Sequence, residues 1–207
     1  MGRPENPVIS ARKAPVQARA SHLVAAVLDA AVQVLSGEGA ARFTMARVAE
    51  RAGVSVGSIY QYFPNKASIL FRLQADEWQR TAALIRAILE DTGRPPTDRL
   101  RRLAHAFLRS ECDEAQVRIA LGDAAPLYRE APEAEAARAG GSAVIRAFTA
   151  EALPLADDAK QWRAAALIEM TLTQVGSSFS EGRRTGEEVQ VFADEMADMF
   201  DAYLRQC

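Results

Sequence analysis

The segment from Phe43 to Leu70, FTMARVAERAGVSVGSIYQYFPNKASIL, constrains the fold more than any other part of the chain: it spells two short helices, a tight turn and the start of a third. Thr44 precedes an apolar-periodic run and suits the N-cap, where its hydroxyl accepts from a backbone N–H left without a partner in the first turn. Phe43 and Val48 have the spacing of a hydrophobic staple. The run carries Met45, Val48, Ala49 and Ala52 on one side and closes at Gly53, a residue able to take the left-handed conformation. Ser55 is the next N-cap, with Val54 and Ile59 repeating the staple. The connection is then only about three or four residues long, which forces the helices to cross steeply.

At about 100° per residue, the second helix turns Val56, Ile59, Tyr60 and Phe63 to one face and Gly57, Ser58, Gln61 and Tyr62 to the other. The second set is a small residue that permits close approach, together with donors and acceptors suited to base edges and phosphates. Gln61 lies at its centre. Pro64 stops the helix, Asn65 caps the next one, and Lys66 falls in its first turn, where the helix dipole disfavours a cation. An external anion such as a DNA phosphate relieves that conflict. The charge distribution agrees. The chain as a whole carries −2, but residues 1–73 hold nine Lys/Arg against four Asp/Glu, whereas residues 74–207 hold sixteen against twenty-three. A basic head on an acidic body suits a polyanion at one end only.

Ala49, the AGVS of Ala52 to Ser55, Gly57, Tyr60, Tyr62, Phe63 and Lys66 together resemble the DNA-binding domain of the TetR family of bacterial transcriptional regulators, over about residues 19 to 72. One position departs from it: Ala67 stands where the family usually has an acidic residue, which weakens the start of the third helix. The resemblance implies double-stranded DNA as partner. It places Thr44, Tyr60, Tyr62 and Lys66 on phosphates, Val56, Gly57, Ser58 and Gln61 near the bases, and Arg47 and Ser55 among the contacting residues.

The remaining chain reads as helical throughout, so the expected fold is all-α. A basic arm occupies residues 1–20, a three-helix helix-turn-helix head residues 21–72, and a larger helical ligand-binding and dimerisation body residues 73–207. Within the head, Val24, Val27, Leu28, Ala31, Val34 and Leu35 form the stripe of a first helix from Ser21 to Ser36. A long helix is expected from Lys66 to Glu90, leading from head to body. Helices follow over Thr97–Cys112, Asp113–Gly122, Glu133–Leu153 with a bend at Gly140 and Gly141, Asp157–Ser180, and Glu187–Tyr203.

The last two helices resemble the pair through which the family dimerises, which implies a homodimer. From the residues alone, the seam of Val189, Phe192, Met196, Met199 and Tyr203 suits either that interface or ordinary core. Mismatched helix lengths and kinks suit a cavity between body helices, and the resemblance implies that it takes a small apolar or amphipathic inducer of a repressor. The candidate lining is Trp78, Phe107, Leu121, Tyr128, Phe148, Trp162, Met170, Thr173 and Gln174, all equally suited to core packing.

Catalysis is not expected. Two isolated histidines, His22 and His105, and no Gly-rich phosphate loop leave no nucleophile–base pair, and Glu169 reads as a surface residue or a partner of Arg163. No metal or cofactor is expected, since Cys112 and Cys207 lack the spacing of a zinc or redox site. With no apparent membrane span or apolar leader, the expected place is the cytoplasm. The alternatives to a repressor are an activator and a helical interaction module that keeps the head as a scaffold.

Overall fold

The computed structural model describes Ile9, Ser10 and residues 18–207, apart from the side chains of residues 18, 19 and 139. Most of the expected arm, and the side chain of Arg19, lie outside the described residues. All regular structure among them is helical: α1 (Ala18–Glu38), a 3-10 turn (Ala40–Arg42), α2 (Met45–Ala52), α3 (Val56–Tyr60), α4 (Lys66–Leu89), α5 (Pro96–Asp113) and α6 (Ala115–Ala124). After a second 3-10 turn (Ala125–Leu127) come α7 (Pro132–Ala152), α8 (Asp158–Met170), a π turn (Thr171–Val175), α9 (Gly176–Ser180) and α10 (Gly186–Arg205).

The chain forms two compact units. The first runs to Glu77 and takes in Gln116–Ala137; the second comprises Trp78–Ala115 and Arg138–Cys207. The division from sequence at residue 72 assigned 116–137 to the body, but their apolar side chains belong to the first unit. Ala120, Leu121, Ala124, Tyr128 and Ala131 are buried in one cluster with the α1 stripe and with Val48, Ile59, Phe63 and Leu70. By length and hydropathy, Ala20–Glu38 is long and apolar enough to cross a membrane, contrary to the sequence expectation. Its Val27, Ala31, Val34 and Leu35 are instead buried to 1% exposure or less in that cluster.

In the second unit, α10 packs along α5. Val189 and Met196 of the expected interface seam are buried in the unit's own core. Phe192 is partly buried and stacks on Phe179 with centroids 4.2 Å apart, while Met199 stays half exposed. The seam is therefore partly core, and the outward apolar groups of α8 and α10 are Trp162, Leu167, Met170, Val191 and Met199.

Two local expectations meet a different structure. Of the bend or break expected at Gly140 and Gly141, the break is absent, since α7 runs as one helix through both. A Cβ on Gly141 would lie 3.3 Å from Ile85 Cδ1 and one on Gly140 3.6 Å from Ala82 Cβ, so the pair lets α7 approach α4 closely. The helix expected over Asp157–Ser180 contains a π turn instead. A π turn adds a residue to the repeat, so a 3.6-residue count carried across it misplaces every side chain beyond.

Candidate functional site

Each helix of the head begins and ends through chemistry carried by its own neighbours. Thr44 is extended at φ −135° and ψ 153°, and its hydroxyl accepts from the Arg47 N–H at 3.3 Å. Gly53, at φ 67°, closes α2 in the left-handed region, with its N–H directed at the carbonyls of Ala49 and Glu50. Ser55 Oγ accepts from the Ser58 N–H at 3.1 Å and lies 2.8 Å from Ser58 Oγ. At the start of α4, Asn65 Oδ1 accepts from the Ser68 N–H at 2.9 Å, while Ser68 Oγ accepts from the Asn65 N–H at 3.4 Å. Ser68 thus supplies the reciprocal bond of a capping box, and with Ala67 buried the first turn of α4 carries no acidic residue. Lys66, exposed on that turn, has no neighbouring anion in the helix start to offset it.

Helix α3 is shorter than its periodicity suggests. It ends at Tyr60, and the N–H groups of Tyr62 and Phe63 both turn back to the Ile59 carbonyl at 2.9 Å. The count of 100° per residue therefore fails at its end, and the two tyrosines exchange places. Tyr60, expected inside, is 42% exposed; Tyr62, expected outside, packs partly buried against the head cluster. Val56 is likewise partly buried, whereas Gly57 and Gln61 are exposed and Ser58 is intermediate. Arg47, half exposed, pairs with Glu38.

Gly57 carries the most information about what this face meets. Its φ is not in the left-handed region, and an added Cβ would find only Ser55 Oγ at 3.8 Å. Nothing within the described chain requires glycine there, although glycine inside a helix costs about 1 kcal/mol relative to alanine.

The second unit holds a cavity of about 190 Å³. It brings together Trp78, Phe107 and Thr173 of the expected lining, with Ile85, Ile145, Leu172 and Glu169. The other candidates lie elsewhere. Leu121 and Tyr128 belong to the first unit, where the Tyr128 hydroxyl points to the Leu121 carbonyl at 3.1 Å and Gln74 Oε1 at 3.2 Å. Burial, and secondarily the charge of Glu77, push that phenol above its ordinary pKa. Phe148 is core, with the Arg99 guanidinium 5.2 Å from its ring centroid. Trp162, Met170 and Gln174 face outward. Glu169 is not paired with Arg163; it accepts from Ser142 Oγ at 2.5 Å.

Sequence reasoning also missed the buried charges. Arg99, 1% exposed, donates to the Leu89 carbonyl at 2.6 Å and grips the Glu151 carboxylate with both terminal nitrogens. Glu77, 4% exposed, pairs with Arg118 at 2.8 Å. Both ties join residues dozens of positions apart.

Two short helices joined by a three-residue turn, with an uncrowded glycine and a glutamine on the outer face, define a helix-turn-helix unit. Residues 27–73 match the family described as bacterial regulatory proteins, tetR family, and residues 95–207 match the tetracyclin repressor-like C-terminal domain. The chain belongs to the TetR family.

Among its relatives are the HTH-type transcriptional repressor KstR of Rhodococcus jostii (strain RHA1), 33% identical over 41% of this chain and 38% of that one, and the nucleoid occlusion factor SlmA of Vibrio campbellii (strain ATCC BAA-1116), 35% identical over 47% and 50%. The matched segments span half or less of these relatives. In fold, the chain is similar to the regulator FadR of Bacillus subtilis in complex with stearoyl-CoA, with a TM-score of 0.67 and 16% identity over 85% of this chain and 96% of that one. Regulators of this family bind operators and small molecules and act as dimers.

Proposed function

We propose that the chain is a repressor, acting in the cytoplasm as a homodimer on a near-palindromic operator and released when a small apolar or amphipathic inducer enters the cavity of the second unit. The observation that carries the DNA half of this reading is Gly57, exposed on α3 with open space over it and Gln61 beside it. Gln61 reads a base edge, Gly57 lets the backbone approach the groove, and Lys66 together with Thr44, Tyr60 and Tyr62 holds phosphates. Val56, Ser55, Ser58 and Arg47 complete the surface. Ser55 and Ser58 act mainly by shaping the helix start, since their hydroxyls bond each other.

The inducer half rests on the cavity and on α4. The cavity's Trp78, Ile85 and their neighbours lie on the same unbroken helix as Lys66, so a ligand at one end of α4 acts on an element whose other end meets DNA. The dimer is joined through α8 and α10, where Trp162, Leu167, Met170, Val191 and Met199 remain exposed. Dimerisation sets the two α3 helices about one turn of DNA apart, roughly 34–36 Å or a multiple of it.

Titration of operator and scrambled DNA at several salt concentrations tests the assignment. Gln61→Ala costs about 1–3 kcal/mol on operator alone. Lys66→Ala weakens both DNAs alike and lowers the salt slope by about one per contact, or about two for the dimer. Equal loss on both DNAs for Gln61→Ala, with altered base preference for Lys66→Ala, reverses the roles.

A further inference from the structure

The ligand cavity of the second unit has a chemical bias that its apolar walls conceal. Phe107, Ile145 and Leu172 supply those walls, and the polar groups beside them are already committed. Thr173 Oγ1 donates to the Glu169 carbonyl at 2.9 Å, and Ser142 Oγ donates to the Glu169 carboxylate at 2.5 Å. Glu169 itself receives only that one neutral hydrogen bond on its carboxylate, and no Lys, Arg or His pairs with it among the described residues. A part-buried carboxylate on an apolar wall lacks the compensation that an ion pair or several donors would give. The second feature is Trp78, whose indole carries the Arg138 guanidinium 5.5 Å from its ring centroid. That face therefore already hosts a cation, as the negative face of an indole favours.

We infer that the cavity selects a small amphipathic cation, a one-ring or similarly compact amine, with its ammonium on Glu169 and its apolar body among Phe107, Ile145 and Leu172. The inference rests on the reading of this cavity as the inducer site. Size sets the upper bound. A cavity of about 150 Å³ lined by apolar side chains accommodates benzene, so about 190 Å³ leaves room for a ring and a short polar arm. A long-chain acyl-coenzyme A, such as the ligand in the B. subtilis FadR complex, is much larger and carries anionic phosphates that Glu169 repels. Arg138 does not reverse the preference: it is exposed and its guanidinium lies over Trp78, whereas Glu169 is less exposed and faces the cavity without a cation.

Calorimetric titration of the full chain with 2-phenylethylammonium, 2-phenylethanol and phenylacetate provides the test, because the three share a ring and differ in the charge of the arm. Expected is tighter binding of the ammonium than of the alcohol by about tenfold or more, as for a charge-assisted hydrogen bond, with phenylacetate weakest. Glu169→Gln removes the preference for the ammonium over the alcohol; Ile145→Trp, which fills the cavity, weakens all three probes. Preference for phenylacetate overturns the inference while leaving the cavity reading intact, provided Ile145→Trp still weakens binding. So does an ammonium preference that survives Glu169→Gln. If no probe binds, or binding ignores Ile145→Trp in a protein with an unchanged circular dichroism spectrum, the cavity reading itself fails, and the inference with it.

Discussion

The helix-turn-helix of the first unit and the second unit are both helical, yet they are specified at different ranges along the chain. In the first, the decisive bonds of the DNA-reading segment span three or four residues: Thr44 to Arg47, Ser55 to Ser58, Asn65 to Ser68, and Gly53 back to Ala49. In the second, the decisive polar tie joins Arg99 to Glu151, and Arg101 reaches Asp194 and Asp198 of α10. The helix-turn-helix is pinned by short-range chemistry that survives changes elsewhere, whereas the second unit is tied by contacts that can change without altering the helices themselves.

The largest effect expected from this contrast falls on Arg99. Arg99→Ala leaves the Leu89 carbonyl without its 2.6 Å donor and opens space under Phe148. It destabilises by about 3 kcal/mol, the sum of an orphaned acceptor and a partly collapsed cavity. The Glu151 carboxylate is 47% exposed, so water recovers most of what it loses and the cost stays below that of a fully buried broken pair. Urea unfolding with unchanged m-value measures it. A cost below about 1 kcal/mol would show that the long-range tie is dispensable, and the contrast between the units would lose its main support.

The same contrast explains what could be read in advance. Caps and staples are visible in a window of a few residues, so α2, the turn and the start of α4 are found where their residues predict them. The exchange of Tyr60 and Tyr62 was not, because α3 closes onto Ile59 and periodicity does not report where a helix stops. In the second unit, Trp78, Phe107 and Thr173 meet at the cavity, but Glu169 was assigned to solvent or Arg163. Gln174, expected at the cavity, lies in the π turn and faces outward, and no short motif encodes that turn. Tyr128 belongs to the first unit because its partners Gln74 and Phe71 lie some fifty residues away, and Leu121, whose carbonyl accepts from its hydroxyl, goes with it. The capping pattern of Thr185 and Glu188 is legible in the sequence itself.

Two glycines sharpen the comparison inside the first unit. Gly53→Ala places a side chain at φ 67° and costs about 1–2 kcal/mol, whereas Gly57→Ala meets no atom closer than 3.8 Å and stabilises by up to about 1 kcal/mol. On DNA the order reverses in significance. Gly57→Ala weakens operator binding despite the firmer fold, because the added methyl occupies the space an approaching groove needs. Thermal unfolding and operator titration of the same preparations separate the two effects. A Gly57→Ala protein that is more stable and binds as well would remove the reason given for glycine at that position.

The smallest expected effect concerns the one place where the second unit uses the short-range device of the first. Thr185 donates its N–H to Glu188 Oε2 at 2.7 Å and its hydroxyl to the same oxygen at 3.1 Å, while the Glu188 N–H returns to Thr185 Oγ1 at 3.2 Å. The backbone bond first, and the hydroxyl bond second, hold the Glu188 carboxyl below its ordinary value of 4.5. A carboxyl lowered in the folded state contributes stability that is complete above its unfolded value and is lost as pH falls through the folded one. Glu188→Gln keeps an acceptor for the Thr185 N–H but cannot titrate, so its stability should fall less steeply than that of the wild type between about pH 5 and pH 3. The exposed setting keeps the difference small, and urea midpoints at closely spaced pH values are needed to resolve it. Coincident pH profiles would mean that this box only marks where α10 begins, whereas a flatter mutant profile shows that short-range capping contributes to stability even in the unit held mainly by distant contacts.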